Sequence, residues 1–245
     1  MKAVKFKLSG KNAFFKKPEV NSYCYFTYGQ IHKITILGIF GAVLGYDGYG
    51  QQKEKKFTEK YPEFYQRLRN LKVCIIPRNK QGYIPKKIQQ YNNSVGYASK
   101  EQSGNLIIKE QWLENPEWEI YLMLDCEEAE KVSEFLIKKK CVYLPYLGKN
   151  DHIADIENVE IVILNKVHLS NEVQIFSMFP KRIGDISVPD DEDEIEIFKY
   201  EEKLPIALNE DTNHYEFDTF CYTNLLVKAK EEVLYQEKEK ILTFY

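Results

Sequence analysis

Residues 2–8 read KAVKFKL and residues 34–44 read ITILGIFGAVL, and these two stretches decide the fold that the sequence predicts. In the first stretch, apolar positions alternate with small and basic ones, which is typical of a half-buried strand with a basic exposed face. The second stretch is apolar nearly all round, which predicts a buried helix. The chain is therefore expected to open with a strand and a helix of one packed core.

Three glycines of the predicted helix, Gly38, Gly41 and Gly45, are spaced so that they share one helix face. Each glycine in a helix interior costs about 1 kcal/mol relative to alanine. Close approach of a strand or of a ligand backbone is the usual compensation. Lys33 and Thr35 lie at the helix start, where free N–H groups attract phosphate.

Further segments are predicted from their periodicity. They are a helix at 57–71, a strand at 71–76, a strand at 118–124, a helix at 127–140, and strands at 141–147 and 159–164. The order contains β-α-β-β-α-β, the ferredoxin-like pattern that RNA-recognition domains share. Short strands predominate after residue 166, with an acidic linker at 190–194. We therefore predict an α+β fold with a core at 1–165 and a small β-rich C-terminal region at 166–245.

The segment 78–110 has no sustained apolar period and is rich in Asn, Gln, Ser, Gly, Tyr and Lys. Long segments of this kind inside a compact domain are usually functional or disordered. Lysines and arginine interleave with Tyr83, Tyr91 and Tyr97, which favours a finger that grips a nucleic-acid strand. A solvated surface loop is the alternative.

Charge is distributed unevenly along the 245 residues. Residues 1–111 carry 20 Lys and Arg against 7 Asp and Glu, whereas residues 112–245 carry 14 against 30. The first half could present a basic face to a polyanion, although the charges could equally mix in space. The longest apolar stretch is far shorter than the ~20 residues of a membrane span. With no secretory leader and no CxxC among five cysteines, we expect a cytoplasmic protein with reduced thiols and no membrane association.

Several longer motifs carry a resemblance to a known family. They are FKLSGKNAFFKKP at 6–18, TY at 27–28, ILGIFGAVLG at 36–45, YPEFY at 61–65, LPYLGKNDHIA at 144–154, LPIAL at 204–208 and FDTFCYTN at 217–224. Together they resemble the fifth CRISPR-associated (Cas) protein family, in its type I-B (Hmari or Tneap) branch. The glycine helix after the FKLSG strand is the most specific part. The resemblance covers essentially the whole chain.

The resemblance implies a fold and a role. The fold is an RRM/ferredoxin-like (RAMP) core with a β-hairpin thumb, which would be the segment 78–110. The role is that of a non-catalytic subunit of a Cascade interference complex, which binds the 5′ handle of the crRNA and caps the foot of the complex. Expected partners are the backbone subunit of the seventh Cas family and the large subunit of the eighth, with target DNA reached only through the complex.

Residue types and position together nominate an RNA-binding set. It comprises Lys16, Lys17, Tyr28, His32, Lys33, Arg78, Lys80, Tyr83, Lys86, Lys87, Gly148, Lys149, Asn150 and His152. Lysine and arginine would neutralise phosphates and aromatic rings would stack on splayed bases. No cofactor or metal is expected, since phosphate-loop, nucleophile-elbow, zinc and dinucleotide motifs are all missing from the sequence.

An enzyme is the main alternative. In the type I-C branch, the resemblance implies a metal-independent endoribonuclease with a Tyr, Lys and His set. That chemistry needs a base for the 2′-hydroxyl proton and a cation for the phosphorane. His32 with Tyr28, or His152 with Lys149, could be assembled by the fold, but neither pair is a motif and both histidines could be structural. We therefore expect no catalysis.

Overall fold

The computed structural model of the protein describes residues 1–19, 23–54, 60–94, 96, 100–102, 104–167, 172–187, 196–230 and 234–245. Its strands are β1 (Lys2–Ser9), β2 (Asn12–Ala13), β3 (Val73–Pro77), β4 (Lys86–Asn92), β5 (Ile107–Glu114), β6 (Glu117–Met123), β7 (Asp155–Ile163), β8 (Asn165–Val167), β9 (Val173–Gln174), β10 (Phe179–Pro180), β11 (Gly184–Ile186), β12 (Lys199–Leu208), β13 (Tyr215–Thr223), β14 (Leu226–Ala229), β15 (Leu234–Glu237) and β16 (Lys240–Leu242). Its α-helices are α1 (Lys33–Leu44), α2 (Tyr49–Glu54), α3 (Glu63–Leu68) and α4 (Glu127–Ile137).

Four strands form an antiparallel core sheet in the order β3-β6-β1-β7. The apolar side chains of β1 pack in one buried cluster with those of α1 and α4. Phe6 of β1, for example, meets Phe40 of α1 edge-on, with ring centroids 6.1 Å apart. In chain order the elements β1, α1, β3, β6, α4 and β7 give β-α-β-β-α-β, so the predicted ferredoxin-like core of an α+β fold is confirmed.

The predicted finger is an antiparallel hairpin of β4 and β5, to which β2 adds a short third strand. We call β4, β5 and their connection the thumb. Its second strand continues past the expected end at residue 110, because Trp112 and Leu113 extend the ladder opposite Lys87 and Lys86. Tyr97, which the sequence placed in the finger, lies outside the described residues.

Two sequence predictions about local structure were wrong. Residues 141–147 do not form a strand; the N–H groups of Val142 and Tyr143 instead donate to carbonyls at the end of α1. The fourth strand of the core is therefore β7, which begins before the expected residue 159. The helix predicted at 57–71 begins at Glu63, because proline at position 62 prevents helical continuation from upstream.

The three glycines of the α1 region have three different environments. A Cβ at Gly41 would lie 2.6 Å from Cβ of Phe64, so the close approach is to helix α3, whereas the sequence suggested a strand or a ligand. Gly45 ends the helix in the left-handed region, with φ of 80°, where glycine has no steric penalty. A Cβ at Gly38 would meet nothing within 4 Å.

The face of the core sheet that was expected to be basic and exposed is partly covered by the C-terminal strands. Ala3 is fully buried there, in one cluster with Leu242 of β16. Lys5 Nζ lies 2.6 Å from Glu160 Oε1 of β7, so its charge is paired within the sheet. The expectation of an open basic face was therefore wrong, because the chain returns to cover that face.

Many ion pairs join the basic first half to the acidic second half. They include Lys5–Glu160, Lys7–Glu157, Lys17–Glu202, Lys60–Glu210, Lys72–Asp125, Lys80–Glu196 and Lys87–Glu114. The two charge excesses thus mix in space to a large extent. Among the described residues, Lys16 and Lys86 are exposed and form no ion pair, so they keep their charge available at the surface.

The C-terminal region is β-rich, as predicted. Its described strands form three antiparallel sheets, ordered β10-β13-β12, β11-β14-β9 and β16-β15-β8. Leu204, Leu208 and Phe220 of this region pack in the same buried cluster as the core helices. The expected acidic linker at 190–194 lies outside the described residues. Among those residues, no helix has both the length and the apolar character needed to cross a membrane.

Candidate nucleic-acid interface

The turn at residues 148–152 is held against the segment that follows β1. Gly148 has a φ of +88°, and a Cβ there would lie 1.9 Å from the carbonyl oxygen of Phe14, so only glycine fits without rearrangement. The N–H of Phe14 donates to Leu147 O at 3.0 Å, and the N–H of His152 donates to Lys149 O at 2.9 Å. This arrangement directs Lys149 and His152 towards the thumb, while Asn150 is exposed.

The base of the thumb contains a buried carboxylate with three donors. Tyr91 Oη donates to Glu110 Oε1 at 2.8 Å, and Trp112 Nε1 donates to Glu110 Oε2 at 2.8 Å. Lys149 Nζ donates to the same Oε2 at 2.8 Å and lies 3.3 Å from Tyr91 Oη. Burial alone would raise the pKa of Glu110, but the hydrogen bonds from Lys149, Trp112 and Tyr91 outweigh burial and lower it. We call Tyr91, Glu110, Trp112, Lys149 and His152 the thumb-base cluster.

His152 completes this cluster as a buried ring. Its imidazole packs against Trp112 with centroids 4.4 Å apart and an interplanar angle of 80°. Neither of its ring nitrogens has a hydrogen-bond partner among the described residues. Burial is the main cause that lowers the pKa of His152. The ring is therefore neutral near pH 7 and, at 4% exposure, buried as it stands.

Lysines lie over aromatic rings beside this cluster. Lys16 Nζ lies 3.8 Å from the ring centroid of Tyr25, and Lys87 Nζ lies 5.9 Å from that of Trp112. Lys87 is also paired with Glu114, whereas Lys86 on the opposite face of β4 is exposed. These contacts place cations and aromatic rings side by side, the combination with which proteins bind single-stranded nucleic acid.

The second predicted group, around Tyr28 and His32, is buried. Thr35 N donates to His32 Nδ1 at 3.4 Å, so the imidazole caps α1. Its ring packs edge-on against Phe15, Tyr28 and Tyr215. Burial lowers the pKa of His32 to about 3, which keeps it neutral. His32 is therefore the N-cap residue of α1 and part of the buried core.

The remaining cations near this group are partly shielded. Lys17 Nζ lies 5.2 Å from the ring centroid of Tyr28 and 3.4 Å from Glu202 Oε1. Lys33 is half-buried at the start of α1, and burial lowers its pKa to about 8. The helix start is therefore occupied by the chain's own groups. Of the three predicted lysines of this region, Lys16, Lys17 and Lys33, only Lys16 is exposed.

A third predicted group lies where β3 ends. Arg78 lines a polar cavity of about 240 Å³ that also contains Lys5, Lys7 and three glutamates. Lys80 and Tyr83 are exposed, and Lys80 Nζ is 3.9 Å from Glu196 Oε2. The predicted residues therefore lie in three groups: the thumb base, the region of Tyr28 and His32, and the end of β3. At the thumb base, Lys87, Lys149 and His152 all lie against Trp112.

Sequence reasoning missed Trp112 and Glu110 as site residues. Both lie on the face of β5 that meets the turn at 148–152. The signal was the period-two spacing of Glu110 and Trp112, which puts two polar-tipped side chains on one face of a strand. The partner of Glu110, Lys149, is distant in sequence, so the ion pair itself had no local signal. Within the described part of the chain, no group of His, Cys, Asp and Glu side chains is arranged to hold a metal ion.

Comparison with known proteins gives similarity at the level of the fold. No protein-family model matches the chain, and no curated protein matches it either. Among solved structures, a chain of a "CRISPR RNA-guided surveillance complex" aligns with a TM-score of 0.51 at 10% identity, covering 92% of this chain and 91% of that one. A CRISPR protein from Archaeoglobus fulgidus aligns with a TM-score of 0.51 at 12% identity, covering 99% and 98%. The chain thus has the fold of CRISPR-associated proteins over nearly its full length.

Proposed function

We propose that this protein is an RNA-binding subunit of a CRISPR effector complex. The fold similarity to CRISPR proteins extends over nearly the whole of both aligned chains, which supports a role as a subunit of that kind. The observation that carries the proposal is the thumb-base cluster. Two elements nominated separately for RNA contact, the finger and the LGKNDH turn, meet there with cations and aromatic rings.

The more specific role follows from the sequence resemblance. The subunit belongs, on this proposal, to the type I-B branch of the fifth Cas family and binds the 5′ handle of the crRNA without cutting it. Its neighbours are the backbone subunit of the seventh family and the large subunit of the eighth. Exposed Lys86 and Lys16 contact handle phosphates, and exposed Tyr83 and half-buried Tyr25 supply rings for unstacked bases.

A second candidate, the metal-independent endoribonuclease, has one observation in its favour. Tyr91, Lys149 and His152 come together at the thumb base, and this is a Tyr, Lys and His set. Lys149, however, is paired with Glu110, and the His152 ring is buried. A general base must reach the proton that it removes, so this cluster would have to open before it could act.

One experiment separates the two candidates. Labelled repeat RNA from a CRISPR array of the same genome is mixed with the purified chain in EDTA, then run on native and denaturing gels. A retarded but intact RNA is the expected result. A discrete cut that leaves a short 5′ handle would establish the nuclease, and substitution of Tyr91, Lys149 and His152 would follow. Absence of both retardation and cutting at micromolar protein would overturn both candidates.

A further inference from the structure

A carboxylate from the C-terminal region lies in a pocket built by the basic first half of the chain. Both oxygens of Glu202 accept from the N–H of Gly29, at 3.1 Å for Oε1 and 2.9 Å for Oε2. Tyr200 Oη donates to Glu202 Oε2 at 2.6 Å, and Lys17 Nζ lies 3.4 Å from Glu202 Oε1. We call Lys17, Gly29, Lys86, Tyr200 and Glu202 the Glu202 pocket.

Gly29 is the centre of this pocket, and the lack of a side chain keeps it open. A Cβ at Gly29 would lie 3.3 Å from Glu202 Oε2 and 3.5 Å from Lys86 Nζ, and it would clash with Tyr200 Oη. The bare backbone therefore lets an anion approach the N–H directly. Glycine makes the same contribution in loops that bind phosphate.

The donors of the pocket are the groups with which proteins hold phosphate. They are a backbone N–H, a tyrosine hydroxyl and two lysine ammonium groups. Glu202 uses three of these four donors, since Lys86 forms no ion pair among the described residues. The pocket thus offers more donors than its own carboxylate occupies.

The pocket also lies on the path that the proposed function gives to RNA. Lys86 is the first residue of the thumb strand β4, and Lys17 follows the exposed Lys16. Lys86 is exposed, Lys17 has 32% of its side chain exposed, and Glu202 has 14%. A strand held along the thumb would therefore bring its backbone to the open side of the pocket.

Displacement of Glu202 by a phosphate would cost little. A lysine–carboxylate pair that is partly exposed contributes about 1 kcal/mol or less. The hydrogen bonds from Gly29 and Tyr200 would be exchanged rather than lost, because the same donors would then bond to phosphate oxygens. Lys86 would gain an anionic partner.

We infer that the Glu202 pocket binds one phosphodiester group of the RNA strand, and that the Glu202 carboxylate occupies this site in the free protein and gives way when RNA binds. Gly29 and Tyr200 are then RNA contacts, and Glu202 is a competitor built into the chain that weakens RNA binding. The inference rests on the proposed function, since it takes the polyanion to be the RNA that the subunit binds.

The test compares two neighbouring glutamates of β12. Glu202→Gln removes the charge and keeps an acceptor for the Gly29 N–H, whereas Glu201→Gln makes the same change in net charge on the opposite face of the strand. Glu201 is itself paired, with Lys181 at 3.0 Å and Lys199 at 2.8 Å. In filter binding with labelled repeat RNA, Glu202→Gln should bind roughly three- to fivefold more tightly than the wild type, the scale of one exposed charge contact. Glu201→Gln should bind nearly as the wild type does.

Lys17 shows whether the gain arises within the pocket. Because Glu202 already neutralises Lys17 in the free protein, Lys17→Met should cost little affinity by itself and clearly more in the Glu202→Gln background. Additive effects of the two substitutions would overturn the inference. Urea titration establishes that each variant is folded. If Glu202→Gln has no cooperative transition, Glu202→Asp takes its place, since it withdraws the carboxylate by one methylene without a change of net charge and should also tighten binding.

Three further outcomes would overturn the inference. Equal affinities of Glu201→Gln and Glu202→Gln would show a general effect of charge. Weaker RNA binding by Glu202→Gln would show that Glu202 only fastens β12 to the core. Wild-type RNA affinity of Glu202→Gln, with a gain in its thermal stability when inorganic phosphate replaces chloride at equal ionic strength, would assign the pocket to a free anion.

Failure of the inference and failure of the proposed function are distinguishable. If the wild type and both glutamine variants all fail to bind repeat RNA, the proposed function is overturned and the inference with it. If the wild type binds RNA and the two glutamine variants do not differ, the inference alone is overturned.

Discussion

Lys149 Nζ lies 2.8 Å from Glu110 Oε2, and this ion pair joins the turn at 148–152 to the second strand of the thumb. The two side chains are unequally buried, at 8% exposure for Glu110 and 24% for Lys149. The contact between the thumb and the turn therefore depends on an ion pair whose carboxylate is buried and whose ammonium group is partly exposed to solvent.

Loss of Lys149 should cost more stability than loss of Glu110. Lys149→Met leaves a buried carboxylate without its cation, whereas Glu110→Gln leaves a lysine that can reach water. We expect Lys149→Met to lower the free energy of unfolding by roughly 2–3 kcal/mol and Glu110→Gln to lower it by roughly 1–2 kcal/mol, both measured by urea titration. The double variant should be more stable than the sum of the single losses implies, which is the signature of direct coupling. Strict additivity would show that the two residues do not act as a pair.

Reversal of charge at Lys86 should weaken RNA binding more than the same change at Lys87. Lys86 is exposed and free of ion pairs among the described residues, whereas Lys87 Nζ already lies 3.2 Å from Glu114 Oε1. Lys86→Glu should weaken binding roughly tenfold, the effect of one lost charged contact. It should also reduce the slope of log affinity against log salt by about one.

Filter binding at several salt concentrations measures both quantities. The matched control is Lys228→Glu, at an exposed lysine of β14 in the C-terminal region, which should bind as the wild type does. Equal effects at Lys86 and Lys228 would mean that the thumb makes no specific contact with RNA.

Stability should fall as the pH decreases below about 6.5, the ordinary pKa of histidine. Burial lowers the pKa of His32 to about 3 and also lowers that of His152. The unfolded chain therefore takes up more protons than the folded chain in acid, which favours unfolding. For His32 the loss approaches about 1.4 kcal/mol for each pH unit between ~6.5 and the folded-state pKa of about 3.

The variant His32→Asn retains a cap acceptor and removes the titrating ring. It should be less stable than the wild type at neutral pH, yet lose less stability between pH 7 and 5 in denaturant titrations. If His32→Asn has the wild-type slope, the imidazole is not held neutral by burial.

Alanine at position 148 should destabilise the protein by more than about 2 kcal/mol. The left-handed backbone at Gly148 and the 1.9 Å approach of a Cβ to Phe14 O both oppose a side chain. Gly50→Ala is the control, since a Cβ there meets nothing within 4 Å. Thermal unfolding should show a large decrease for the first variant and little change for the second. A wild-type transition for Gly148→Ala would mean that the turn relaxes freely away from Phe14.

The local elements of this protein could be predicted from the sequence because their signals are local. The alternation at residues 2–8 and the amphipathic pattern at 127–140 each record which face of one element is buried, and the apolar run at 34–44 records a helix buried on nearly all sides. The helix predicted at 127–140 ends at Ile137 in the structure. Their order was enough to predict the β-α-β-β-α-β pattern of the core, although the last strand was expected at 141–147. The hairpin form of the finger was implied by the family resemblance, and the structure has it.

Tertiary structure alone decided which faces were covered and which charges were paired. The segment 141–147 has the composition of a strand, yet its N–H groups bond to the end of α1, so β7 takes the edge position instead. Lys5 looked solvent-facing until β7 and the C-terminal strands packed beside it. Lys149 and Glu110 are 39 positions apart, and nothing in either neighbourhood encodes their contact. Periodicity along a chain reports burial of one face but not the identity of what covers it, because that identity depends on contacts between residues distant in sequence.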